Sequence, residues 1–332
     1  MAESEPVTGL RPVDRLEVLV VVDNATDNLS SIPDIVQHER EFLQLRGMST
    51  LAGECLCCAA WGLSLLLVMH VGGRKRTLLF DAGPEGYTFE RNSARLELPF
   101  ADVEAVVLSH GHFDHAAGLV SAMRLIAEAK PGETTPLYLH PGMFARRGMK
   151  FPNGFVLPLK DVPRPEELEE NGAETRVVDE AALVLGETVW VSDEIPRVTD
   201  YEKGLVNQVR QRDDGEWEPD PWVVDERFLA VEVRDKGLVV FTACSHAGVV
   251  NVLTEARARF PQTPMHAVMG GLHLAGAAVE RIIPETVADL AQFDLDWILP
   301  GHCTGWRAVN ALVQKFGEDV VVPSAVGRLH TF

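Results

Sequence analysis

Ser109-His110-Gly111-His112-Phe113-Asp114-His115 places three imidazoles and a carboxylate within six residues. Two histidines at i and i+2 project to the same side of an extended segment. The Asp114-His115 pair falls where an apolar strand, Val103 to Leu108, turns into a helix opening in AAGLVSAM. Four nitrogen and oxygen ligands on one strand-to-helix turn can serve two cations a few ångströms apart. Asp114, near a helix N-terminus, is also well placed to remain an anion. The alternative, ordinary surface or core histidines, must explain three of the chain's 11 histidines crowding into one short stretch.

The elements that must position this cluster can be read from hydrophobic periodicity. Leu16 to Val22 is a β-rich run closed by Asp23-Asn24. Leu63 to Val71 and Arg76 to Phe80 form a hairpin around Gly72-Gly73, which Asp81-Ala82-Gly83-Pro84 closes. Leu119 to Ala129 has helical period and stops at Pro131-Gly132. A second set of the same kind follows: strands at Phe228 to Val233 and Gly237 to Thr242, then a helix at Val249 to Arg259. It continues with a strand at Met265 to Met269, a helix at Pro284 to Gln292 and a strand at Trp297 to Leu299. Strands followed by a helix, twice over, predict an α/β fold of two halves packed sheet against sheet with helices outside. One domain over 1–332 is expected. The stretch at about 142–225, richer in Pro, Glu and Arg, is read as an inserted cap with short strands near Thr175–Val178 and Thr188–Val191.

The 332 residues suffice for a substantial core, with 46% hydrophobic and 24% charged residues. A net charge of −19 disfavours nucleic acid and anionic membrane as partners, leaving a small-molecule substrate. The longest apolar stretch, Leu63 to Met69, is too short to span a bilayer. Five cysteines without a regular framework, and a first segment lacking a secretory profile, predict a reducing, cytoplasmic setting. The Cys55, Cys57, Cys58 cluster lacks a second ligand pair at zinc-finger spacing and reads as structural. Oligomeric state is not encoded in any pattern.

The HxHxDH string, with Phe80-Asp81-Ala82-Gly83 ahead of it, resembles the signature of the metallo-β-lactamase superfamily. That resemblance implies a four-layer αβ/βα sandwich with the metal site at one edge between the halves. It implies His110 and His112 on a first metal, Asp114 and His115 on a second, and Asp81 beside them orienting ligands. His302, in Pro300-Gly301-His302-Cys303-Thr304-Gly305, matches the superfamily's last metal histidine. Where the superfamily usually has a bridging aspartate, this chain has Cys244-Ser245-His246. The region expected to hold its third histidine motif reads Glu194-Ile195-Pro196-Arg197. His246 is therefore assigned as the protein ligand of the second half, with Cys244 beside it. His273, in Gly270-Gly271-Leu272-His273, is read as catalytic, with Asp114 as both ligand and proton acceptor.

EIPR, CSHAGxxN, GGLHL and PGHCTG together are similar to a subgroup named for 7,8-dihydropterin-6-methyl-4-(β-D-ribofuranosyl)aminobenzene-5′-phosphate synthase. Departures are Ala243 in place of Gly and Ala60-Trp61-Gly62 in place of Glu-His-Gly, which removes a histidine near the site. Arg146, Arg147 and Lys150 follow His140 and are suited to a substrate phosphate or carboxylate; His140, Arg146, Lys150 and Arg197 are the expected substrate contacts, with His140 lining the pocket. The resemblance implies a metal-dependent hydrolase using a metal-bound hydroxide on a small phosphoester or phosphodiester, pterin- or ribose-phosphate-like. One or two Zn²⁺ ions are expected, with Mn²⁺ or Fe²⁺ as alternatives. The competing readings are a lactone, amide or thioester hydrolase, an iron-dependent redox enzyme, and a non-catalytic binding protein.

Overall fold

The computed structural model describes residues 5–332 and contains three sheets. The first has eight strands, in the order Val36–Gln37, Leu329–Thr331, Arg15–Val22, Ser64–Val71, Arg74–Phe80, Val103–Val107, Thr135–Leu139 and Ala173–Val177. The second has six, in the order Ala182–Val184, Val189–Val191, Leu229–Val233, Gly237–Thr242, Met265–Gly271 and Trp297–Gly301. In both, antiparallel pairing gives way to parallel pairing part-way across, at Arg74–Phe80 beside Val103–Val107 and at Gly237–Thr242 beside Met265–Gly271. Parallel strands end at a common edge, so the turns that follow them gather there.

Period-2 alternation decides which side each residue serves. Along Ser64–Val71, Leu65, Leu67 and Met69 enter the core between the two sheets, while Leu66 joins the core beneath the helices. Along Gly237–Thr242, Val239 and Phe241 face the inter-sheet core, and Leu238 and Val240 face the other way. Gly86–Arg95 and Leu119–Ala129 cover the first sheet, the latter through Leu119, Ala122, Met123 and Ile126. Val249–Arg259, Ile283–Leu290 and Trp306–Phe316 cover the second with Leu253, Leu290 and Leu312. The result is the four-layer αβ/βα sandwich. The Gly72-Gly73 hairpin forms as expected, both glycines having positive φ, as a twisted two-residue turn requires.

The stretch 142–225 is not one insertion, which corrects the expected cap. Ala173–Val177 completes the first sheet, and Ala182–Val184 with Val189–Val191 begins the second. Only Arg147–Lys150, Val156–Pro158, Gln208–Gln211 and Trp217–Pro219 stand apart, as a four-stranded antiparallel sheet. The reason lies in strand length: three- to five-residue strands carry too little periodicity to be separated from polar loop. None of the described helices is long and apolar enough to cross a membrane.

His330 sits in the last strand, fully buried, and neither ring nitrogen has a hydrogen-bond partner. Burial, and then Arg328, lowers its pKa from 6.5 to about 3. The unfolded chain therefore binds the extra proton between these values, and stability is lost as pH falls from 6.5 toward 3. In His330→Leu this loss should be absent. The variant's advantage over wild type should grow by about 1.4 kcal/mol per pH unit below 6.5, read from denaturant unfolding at several pH values.

Candidate metal centre

Six site segments leave the carboxyl ends of strands at the shared edge: Asp81, the His110–His115 turn and His140 from the first sheet, and Cys244–His246, His273 and His302 from the second. The chain reverses sharply at each. Asp81, Ser245, His273 and His302 all hold positive φ, of 60°, 58°, 46° and 46°, a conformation kept in non-glycine residues where the surroundings over-determine it. Gly111 lies between His110 and His112 because nothing larger fits: a Cβ there would stand 2.5 Å from the Met143 carbonyl oxygen. Its N–H donates to Asp225 at 2.8 Å, which fixes the turn.

Four rings commit their outer nitrogen to an acceptor, so the inner nitrogens of neutral His110 and His112 carry lone pairs, whereas His246 Nδ1 is buried without a partner. Asp81 accepts from Ser109 N (2.7 Å), from Ser109 Oγ (2.8 Å) and from His115 Nδ1 (2.7 Å). Ser109 Oγ, having donated its proton to Asp81, accepts from His110 Nδ1 at 2.9 Å. His112 Nε2 donates to Gln208 Oε1 at 2.5 Å, while Gln208 Nε2 donates to the Asp220 carbonyl. His302 Nδ1 donates to Asn24 Oδ1 at 3.0 Å, with Asn24 Nδ2 returning a bond to the His302 carbonyl. Partners of this kind fix tautomer and ring direction in metal sites.

The inner atoms converge in two groups. His110 Nε2 faces His112 Nδ1 at 3.0 Å and His246 Nε2 at 3.2 Å. Asp114 Oδ2 lies 3.4 Å from His302 Nε2 and 3.9 Å from His115 Nε2. His302 Nε2 is buried without a hydrogen-bond partner. Nitrogens with no proton between them repel at these distances unless a cation is shared. A tetrahedral ion with metal–nitrogen bonds of about 2.05 Å sets neighbouring nitrogens about 3.3 Å apart. The donor set thus fits divalent ions: His110, His112 and His246 for one, and Asp114, His115 and His302 for the other.

Electrostatics agree with this division. Burial drives His110 and His246 well below the ordinary imidazole value and takes His112 to about 4, so the first group is neutral at pH 7. Burial opposes protonation of His115 too, but the carboxylates of Asp114 and Asp81 overcome it and raise its pKa to about 9. The second group therefore has the field of a cation site. Asp114 is held well below the usual carboxylate range: burial acts upward, but His115 and His302 outweigh it.

Beside the donors is a cavity of about 230 Å³, walled by Trp61, Phe113, Met149, Leu159 and Leu205, with His112, Asp114, Cys244, His246, His273 and His302 on its lining. Trp61, where a histidine was expected, is 65% exposed and donates its indole N–H to Asp114 Oδ2 at 2.8 Å. Every residue expected as a ligand or catalytic group is therefore at one place. The expected substrate contacts are not. His140 Nδ1 accepts from Gly142 N and caps its own turn, Arg146 reaches Gln211 on the surface, and exposed Lys150 is on the outer face of the small sheet with Phe151 and Trp217. Arg197 donates to the carbonyls of Ile195 and Trp222. None of the four lines the cavity. The buried cation of that region is Arg147, paired with Asp220 and Asp225, because alternation along its strand turns it inward and Arg146 outward.

Sequence reasoning missed Ser109, Gln208 and Asn24. Asn24 alone carried a signal, an Asp-Asn pair closing a strand aimed at the same edge. Asp81→Asn tests the support of the ligands: it keeps the shape but removes the charge that orients His115 and, through Ser109, His110. Metal affinity should fall about 10- to 100-fold in chelator competition.

Residues 62–188 match the model of the metallo-β-lactamase superfamily. The chain is 29% identical over 260 residues to 7,8-dihydropterin-6-methyl-4-(β-D-ribofuranosyl)-aminobenzene-5′-phosphate synthase of Methanocaldococcus jannaschii, covering 78% of this chain and 85% of that protein. It is 27% identical over 272 residues to an uncharacterised protein of the same organism, covering 77% and 88%. Among solved structures it is similar to Tm1679, a metal-dependent hydrolase of the β-lactamase superfamily, with a TM-score of 0.68 at 20% identity, covering 96% of this chain and 98% of the other. Residues 62–188, which carry the His110–His115 turn, are thus similar to the metallo-β-lactamase superfamily, and the sandwich fold is shared with Tm1679.

Proposed function

We propose that this chain is a metal-dependent hydrolase of a small phosphate ester or phosphodiester. The compounds in the relative's name, a dihydropterin and a ribose 5′-phosphate, suggest the substrate class. The observation that carries this reading is the convergence of ring nitrogens, at 3.0 and 3.2 Å in the first group, beside a small cavity. A bound divalent ion, Zn²⁺ in the first instance, supplies Lewis-acid activation of water and of the ester oxygen. Asp114, steadied by the Trp61 indole, accepts the proton of the attacking water. The apolar walls at Phe113, Met149 and Leu159 keep bulk water from the reacting ester.

His273 is the proton donor to the leaving group. Its ring lies 4.4 Å from that of His246, centre to centre, and on the cavity wall. Burial acts to lower its pKa, but Cys303, Glu226 and Asp114 outweigh it and raise the value, which favours the donor form. His273→Gln should therefore slow hydrolysis of an alkyl phosphodiester about 100-fold. A nitrophenyl diester, whose leaving group needs no proton, should be nearly unaffected. Equal losses on both would remove His273 from this role.

A carbonyl ester is the second reading, favoured because no Lys or Arg lines the cavity among the described residues. The deciding experiment strips the protein with a chelator, restores Zn²⁺ or Mn²⁺, and measures bis(nitrophenyl) phosphate and an aryl ester side by side. Metal-restored phosphodiester cleavage supports the first reading, and ester cleavage alone the second. A chain holding two equivalents that cleaves neither sinks both, and leaves group transfer to an acceptor other than water, as the relative's name as a synthase suggests. The described cysteines are all free, which suits a reducing cytoplasmic setting.

A further inference from the structure

One sulfur stands close to histidines of both donor groups. Cys244 Sγ lies with His110 and His246 in one cluster and with His115 and His302 in another, the donor atoms of each cluster within 4.8 Å of one another. It is 3.3 Å from His115 Nε2, on the ring whose Nδ1–H donates to Asp81. The residue is buried. Cys303 Sγ lies 3.5 Å from the Cys244 sulfur and 3.5 Å from the Cys244 carbonyl oxygen. Neither cluster contains a carboxylate from the second half of the chain.

Two divalent ions a few ångströms apart repel strongly inside a protein. An anion shared between them offsets this, and among the described residues the atom common to both clusters is a sulfur. From this placement we infer that Cys244 is a bridging thiolate, one sulfur bound to both metal ions. This inference rests on the metal reading above. The thiol proton leaves to solvent as the ions enter, a sulfur–hydrogen bond giving way to two sulfur–metal bonds with no electron transferred. Cys303, its sulfur 3.5 Å from that of Cys244, packs against the bridge and positions it. A soft bridging ligand also selects the metal: Zn²⁺, Fe²⁺ and Co²⁺ suit it, Mg²⁺ and Mn²⁺ do not. The preference would be absent from a site bridged by a carboxylate.

Cobalt(II) titration of the metal-free protein tests this without any activity assay. A sulfur-to-cobalt charge-transfer band in the near ultraviolet should grow through both the first and the second equivalent. It should vanish in Cys244→Ser and remain in Cys303→Ser. A band that stops growing after one equivalent makes the sulfur a terminal ligand and overturns the bridge. So does a band that survives Cys244→Ser or disappears in Cys303→Ser. If Cys244→Ser does not fold, Cys303→Ser decides alone, since a band kept there leaves Cys244 as the sulfur within these clusters. Two bound cobalt ions with no band at all overturn the thiolate but keep the metal site. No cobalt bound overturns the metal reading itself.

Discussion

His110→Ala and His302→Ala will each lose catalysis by several kcal/mol of transition-state stabilisation, on the order of a thousand-fold in rate. They will do so through different ions. His110 Nε2 belongs with His112 and His246, whereas His302 Nε2 faces Asp114. Each variant should therefore bind one equivalent fewer than wild type, and equilibrium dialysis with elemental analysis reads that number. The fold should survive both changes. None of these side chains belongs to the three apolar clusters that hold the sheets and helices together. In the metal-free state His110→Ala should even be no less stable than wild type, because it relieves the His110 and His112 lone pairs that confront one another at 3.0 Å. A variant retaining its full metal content would remove that histidine from the ligand set.

Arg147→Met will have the largest effect on stability, about 3–5 kcal/mol in denaturant unfolding of the metal-free chain. Its guanidinium is buried and donates to Asp220 at 2.9 Å and to both oxygens of Asp225. Methionine fills the space but leaves two carboxylates without their cation. Burial acts to raise the Asp225 pKa, and in the wild type Arg147 overcomes it and holds the value below 3.8. That lowered pKa contributes stability present above 3.8 and lost as pH falls through the folded value. The variant lacks this contribution, so its deficit should shrink toward low pH. Because Asp225 also accepts the Gly111 N–H, metal affinity should fall with stability. Adding Asp225→Asn and Asp220→Asn should recover much of the stability; no recovery would mean that Arg147 acts through packing alone.

The six candidate ligands could be proposed from sequence because much of their signal is local. Three imidazoles and a carboxylate on one turn need only a strand before and a helix after, and both have clear periods. His246 and His302 were proposed from the resemblance, His246 because Cys244-Ser245-His246 stands where the superfamily has its bridging aspartate and His302 because its strand-end motif matches the last histidine. Substrate contacts were not legible in this way. Arg146 and Arg147 are neighbours in sequence, yet alternation sends one to solvent and the other into an ion pair, and only the register of the Arg147–Lys150 strand decides which. Arg197 looked like a free cation and proved to be tied to two carbonyls.

What the sequence determined by itself is the type of chemistry: the donor atoms, their order along the chain and the two-halves sandwich that follows from hydrophobic period. Tertiary structure alone decided how those donors are shared. Asp81 serves two histidines, Gln208 fixes a ring 96 residues away, and Cys244 stands 3.3 Å from a histidine 129 residues earlier. Such relations depend on strand register and on which edge a turn faces, and both are set by the packing of two sheets built from distant segments. A sequence states which groups can bind a metal; the distances that make one sulfur common to two sites exist only once the sheets have packed.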